Sequence, residues 1–184
     1  MRCTVVRRFR AGRRLGLALW LTISAQAAAF DDRQPIHIES DSLDIDDVRG
    51  ISIYRGNVEL RQGEGRMWAD QMTLYTTAEQ ALDKIIAEGR PARFMDRTDK
   101  GDDINGAAQR IEYHAIQLMV VLDGEAHLEQ NKNEFFGNRI EYEMNSRVVR
   151  AGLAAGDDGN GKGRVRTLIL PKNAGDDGGS TAAQ

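Results

Sequence analysis

From Gln34 onward, apolar and polar residues alternate again and again, and this period of two limits the chain to strands that bury one face. Ile36 and Ile38 share a face against His37 and Glu39, and Leu43 and Ile45 repeat the pattern against Asp44 and Asp46. Ile51 and Ile53, Val58 and Leu60, Met72 and Leu74, Ile111 and Tyr113, the run Ile116 to Leu122, Ala126 and Leu128, and Ile140 and Tyr142 continue it. Pairs such as Arg49-Gly50, Arg55-Gly56, Gln62-Gly63, Asp123-Gly124 and Asn145-Ser146 separate the runs as turns. Short strands at this spacing, with no βαβ alternation, argue for an antiparallel meander. Thr77 to Glu88 is the exception. Its apolar spacing and Gly89 stop fit a three-turn helix, or equally an irregular loop entering a strand through Ala92 and Phe94.

An internal repeat supports the meander. Gly56 to Tyr75 aligns without a gap on Gly124 to Glu143, and Arg110-Ile111-Glu112-Tyr113 recurs as Arg139-Ile140-Glu141-Tyr142. Such units cannot bury an apolar face alone, so neighbours must share one interior. That interior is either packed or holds an apolar guest, and periodicity leaves both open.

The N-terminus reads as an export signal. Six arginines and no acid precede the apolar run Leu15 to Ile23, and the small residues Ala25 to Ala29 follow with an A-x-A cleavage pattern. The run is short for a membrane anchor. The expected boundaries are a cleaved signal peptide over 1–29, a β-domain over 30–154, a Gly-rich linker over 155–163, an edge strand over 164–171 and a disordered tail over 172–184. Cleavage removes the single cysteine, Cys3, so the domain must hold together without disulfides. It also takes six of the 25 basic residues and none of the 28 acidic ones, leaving a net charge of −9 that disfavours nucleic acid.

Catalytic and metal motifs are not evident. The histidines His37, His114 and His127 lack metal-ligand spacing, and the aspartates around Asp44 and Asp46, Asp99 to Asp103 and Asp157-Asp158 read as solvated charge. A hydrolase built on paired aspartates is the weakest reading, and no cofactor is expected.

The segment Gln34 to Asp41 (QPIHIESD), Ser42-Leu43-Asp44, Gly56-Asn57-Val58, Gly89 to Phe94, Ile111-Glu112-Tyr113 and Val121 to Gly124 resemble the LptA family of the OstA-like superfamily, periplasmic lipopolysaccharide-transport proteins. The resemblance covers about Gln34 to Ala151, with Arg164 to Pro171 similar to its last strand, and departs over Thr76 to Lys84 and Asp96 to Asp103. It implies an all-β fold, an open, slightly twisted antiparallel β-jellyroll, with a hydrophobic groove for the acyl chains of lipopolysaccharide. The groove would be lined by Ile36, Ile38, Leu43, Ile45, Val58, Leu60, Met72 and Leu74, and further along by Phe94, Ile111, Tyr113, Leu118, Val120, Leu128, Ile140 and Tyr142. It implies no enzyme, a periplasmic location, head-to-tail homo-oligomers joined edge to edge, and inner-membrane LptC-type and outer-membrane LptD-type partners. The competing expectation is a periplasmic β-scaffold that assembles the same way but carries no lipid.

Overall fold

The computed structural model describes residues 34–97, 101–152 and 164–170. The expected signal peptide, the Gly-rich linker and the tail lie outside the described residues, as does Asp99. The rest is strand and turn: β1 (His37–Glu39), β2 (Ser42–Asp46), β3 (Ile51–Gln62), β4 (Gly65–Thr76), β5 (Leu82–Arg97), β6 (Asp103–His114), β7 (Met119–Gln130), β8 (Asn133–Glu143), β9 (Val148–Gly152) and β10 (Arg166–Leu168). All pairings are antiparallel, and β3 to β8 form a continuous meander. Local turn chemistry sets it. Asn131 and Lys132, with φ of 54° and 65°, make the two-residue hairpin between β7 and β8, where both central residues need positive φ.

Thr77 to Glu88 is not helical. Thr77 to Ala81 forms a turn closed by the Thr77 N–H donating to the Ala81 carbonyl at 2.8 Å, and Leu82 begins β5. The β-branched Ile85 and Ile86 find partners on both sides in β4 and β6, so sheet pairing overrides the short helical spacing.

Two pairs expected to end strands lie inside them. Arg55-Gly56 interrupts the register of β3 against β4, and Asp123-Gly124 interrupts that of β7 against β6 and β8. A third irregularity lies between Glu88 and Ala92 of β5. Each inserts residues opposite a shorter stretch of the neighbouring strand, as a β-bulge does, and bulged strands bend. Gly56 and Asn57 have φ of 79° and 46°, and Gly124 and Glu125 have 77° and 52°. The aligned halves of the internal repeat therefore carry the same bulge at the same place, as the shared glycine requires.

The bulges form a line across the meander and divide it into two arms. The first arm holds β2, β9 and the parts of β3 to β8 that pair with them in series; the second holds β1, β10 and the remainder. Gln130 Nε2 on the second arm donates to Tyr142 Oη on the first at 3.3 Å, and one cluster of buried side chains includes residues of both, so the arms face each other. β1 and β2 share one free edge of β3, β9 and β10 share one edge of β8, and these two outer edges do not pair with each other. The result is the open antiparallel jellyroll that the resemblance implied.

Candidate functional site

Directly paired residues on neighbouring strands point to the same face, so the register defines rows that cross the whole sheet. On the inner face of the first arm, one row runs Leu43, Tyr54, Met72, Ala87, Ile111, Leu122, Ile140, Ala151. The next runs Ile45, Ser52, Leu74, Ile85, Tyr113, Val120, Tyr142, Val149. The second arm answers with Ile38, Leu60, Met67, Phe94, Gly106, Leu128, Phe135, Thr167. An apolar interior thus runs perpendicular to the strands, from one sheet edge to the other.

The sixteen residues expected to line a groove divide by position along it. Val58, Leu60, Met72, Leu74, Phe94, Ile111, Tyr113, Val120, Leu128, Ile140 and Tyr142 are buried in its middle. Ile36, Ile38 and Leu118 are half-buried and pack against that core, Leu118 from the turn before β7. Leu43 and Ile45 have the inward phase but stand on the edge strand β2, where they are 46% and 59% exposed. Ile51 and Ile53, which share a face in the sequence pattern, take the outer phase, because Ser52 and Tyr54 pair with the inward Leu74 and Met72.

The sixteen leave out Met67, Ile85, Ala87, Ile104 and Phe135, and also Leu122 from the alternating run Ile116 to Leu122, all of which pack in or against this interior. Strands β4, β5, β6 and β8 change inward phase as they pass the bulge line, for example from Met67 and Ala69 to Met72 and Leu74 on β4, and from Ile104 and Ala108 to Ile111 and Tyr113 on β6. Two alternations of opposite phase within one run were the available signal.

Small residues are placed where the interior is tightest. A Cβ on Gly106 would lie 2.0 Å from Cε1 of Phe94, so the Phe94 ring lies over the bare glycine backbone of the neighbouring strand. The polar atoms of the interior gather at one end. Gln130 bonds Tyr142, the buried Asp96 lies in the same region, and burial raises the Tyr142 phenol above its ordinary value. Arg147 acts in the opposite direction, and Asp96 and Asp102 add to the rise.

The outer face of the first arm is a lattice of opposite charges. Arg110 lies 2.8 Å from Glu88 and 2.9 Å from Glu112, Arg139 lies 3.1 Å from Glu141 and 3.5 Å from Asp123, and Arg55 pairs with Asp44. The letter-for-letter repeat Arg-Ile-Glu-Tyr is explained by these contacts: Ile and Tyr point inward while Arg and Glu pair outside. Asp46 accepts from the Arg49 N–H at 3.0 Å, so the aspartates considered for hydrolysis serve an edge strand and its turn. Among the described residues no group of histidine, cysteine, aspartate and glutamate side chains could hold a metal.

Two depressions lie on the outer face of the second arm. One of about 210 Å³ is lined by Trp68, Arg93, Met95, Asn105, Ala107 and His127, and one of about 560 Å³ by Glu125, Phe136, Asn138, Arg164 and Arg166 among others.

A family model described as LptA/(LptD N-terminal domain) LPS transport protein matches residues 37–148. The lipopolysaccharide export system protein LptH of Pseudomonas aeruginosa is 31% identical over 150 residues, covering 80% of this chain and 86% of that protein. LptA of Escherichia coli K12 is 32% identical over 166 residues, covering 89% and 86%. The crystal structure of LptH, described as the LptA-homologous periplasmic component of the lipopolysaccharide transport device, superposes with a TM-score of 0.71 at 29% identity and covers 77% of this chain and 99% of that one. With its open bent sheet, its edge-to-edge apolar interior and these similarities, the chain belongs to the LptA/LptD N-terminal domain family of lipopolysaccharide transport proteins.

Proposed function

We propose that this protein is a periplasmic carrier and bridge that moves lipopolysaccharide between the two membranes with its acyl chains shielded between the arms. It is a member of a family of transport proteins, not of enzymes. The observation that carries the reading is the direction of the apolar rows. They cross every strand of the meander and reach its edge strands, at Leu43 and Ile45, 46% and 59% exposed, on β2 and at the half-buried Val149 and Ala151 on β9. An alkyl chain gains about 0.8 kcal/mol for each methylene removed from water, so a path without an aqueous gap is what such a cargo needs. The interior is closed here by packing, and loading requires the arms to part and the chain to replace contacts between them.

The free edges suit the joining of copies. Unpaired edge strands invite strand addition, and the split edges β1/β2 and β9/β10 stand on opposite sides of the molecule. Head-to-tail pairing would align the rows of one copy with those of the next. Inner-membrane LptC-type and outer-membrane LptD-type components would engage the same two edges, and the matching family model itself spans an LptD N-terminal domain. Residues 1–29 would direct export and be removed, with cleavage near residues 27–29.

A photo-crosslinking residue placed at Ile38 or Tyr113 should capture lipopolysaccharide in cells. If no inward position yields an adduct while the protein folds and is exported, the carrier reading fails. The tight packing favours a second reading, a lipid-free scaffold. That one predicts concentration-dependent oligomers that do not respond to lipopolysaccharide.

A further inference from the structure

The outer face of the second arm has its own continuous row: Glu59, Trp68, Arg93, Ala107, His127, Phe136, Arg166. The rings are arranged as surfaces. His127 and Phe136 stack at 4.3 Å with planes 3° apart, and the Arg166 guanidinium lies 4.6 Å from the centre of the Phe136 ring. Ala107 leaves the smaller depression between Arg93 and His127, and the larger one lies on the far side of the stacked rings. Neighbouring strands are about 4.8 Å apart, so Trp68 on β4 and His127 on β7 are separated by roughly 14 Å.

The arginines of this row are not matched to acids. Arg49, Arg55, Arg61, Arg66, Arg97, Arg110, Arg139 and Arg150 each have a carboxylate within ion-pair distance. Among the described residues Arg93, Arg164 and Arg166 have none, as is true of Arg90 and Arg147 outside the row, although the exported chain would carry an excess of nine negative charges. The acids in and beside the row are partly engaged elsewhere, as Glu129 is by the Asn105 amide. Glu59 is engaged by Arg61 and Arg66, Glu134 lies 3.3 Å from His127 Nε2, and Glu125 lines one wall of the larger depression.

We propose that this row is a second ligand site, which binds the phosphorylated sugars of lipopolysaccharide on the outside of the sheet. The inference rests on the carrier reading above. Sugar rings present C–H faces that pack on aromatic rings, and phosphates take the two-pronged hydrogen bonds of unpaired guanidinium groups. Strand β10 joins the two sites, for Arg166 ends the outer row and Thr167, the next residue, ends an inner one. One amphiphile passing round that edge meets apolar contacts on one face and cations on the other.

The test uses lipopolysaccharide oligosaccharide that has been deacylated and keeps its phosphates. The chain has two tryptophans, so in the full chain carrying Trp20→Phe the fluorescence reports Trp68 alone. Titration should change the Trp68 emission saturably. Arg93→Ala and Arg166→Ala should each weaken binding roughly tenfold, with unchanged circular dichroism, as should enzymatic removal of the phosphates. Absence of a saturable response, equal binding of the dephosphorylated sugar, insensitivity to both substitutions, or equal binding of a single-stranded oligonucleotide would each overturn the proposal. Crosslinking of intact lipopolysaccharide at Tyr113 separates the two readings. Capture at Tyr113 without oligosaccharide binding removes only the outer site, whereas oligosaccharide binding without capture removes only the interior one.

Discussion

Phe94 and Gly106 show how closely one pair of residues can be matched across two strands. Ring and glycine occupy a space in which a methyl group on Gly106 would overlap Cε1 of Phe94. Gly106→Ala should therefore cost about 1–3 kcal/mol by overpacking, and Phe94→Ala about 3–5 kcal/mol by leaving a cavity. In the double variant the new methyl has room, so its loss should be smaller than the sum of the two, measured by urea unfolding. An additive result would mean that the ring does not lie over the glycine. Tyr142 offers a second test. Burial raises its phenol above 10.0 in the folded chain, so its contribution is complete below the unfolded value and is lost as pH rises from about 10 through the folded value. Wild-type protein should thus lose stability more steeply above pH 10 than Tyr142→Phe, and parallel pH profiles would contradict the assignment. Tyr142→Phe also deprives the Gln130 amide of its partner, so the variant should start from lower stability at neutral pH.

At the scale of the strands, the bulges determine the shape. Gly124 has φ of 77°, and a Cβ there would lie 2.8 Å from Oε1 of Gln109. Gly124→Val should cost about 1–3 kcal/mol through backbone strain, whereas Gly152→Val, with open space and no positive φ, should change the thermal midpoint little. Equal effects at the two positions would show that the bend does not depend on the bulge. These same glycines explain what was and was not legible in the sequence. Period two, turn residues and the repeat suffice for an antiparallel meander, and they suffice to find eleven residues that are buried in its interior. Arg55-Gly56 and Asp123-Gly124 carry identical local signals whether they end a strand or bend it, and only the partner strand decides between the two. The phase changes in β4 and β6 follow from that decision, so Met67 and Ile104 escaped notice while Met72 and Ile111 did not. Ile51 and Ile53 alternate correctly and face outward, because pairing with β4 fixes the face that alternation alone leaves undetermined. The outer row was invisible for a related reason: Trp68, Arg93, His127 and Phe136 are far apart in the chain and meet only through register.

Across the whole molecule, each long strand is paired on both sides while the edges rest on single partners. Hydrogen exchange should follow that order, with amides of β4 to β7 protected most and those of β1, β2, β9 and β10 exchanging first. Protection of β10 equal to that of β6 in the isolated protein would contradict it, and protection of β10 that appears only at high concentration would support joining of copies through this edge. The perpendicular course of the interior has a further consequence. Eight strands from β1 to β10 make seven steps of about 4.8 Å, so one copy spans roughly 34 Å along its apolar interior. If copies join by one more strand pairing, each addition lengthens the path by about 38 Å. The assembly would then behave as a ruler with fixed divisions: the distance between two membranes would be matched by a whole number of subunits, and a spacing that falls between divisions would have to be absorbed by bending or by a longer reach at the ends.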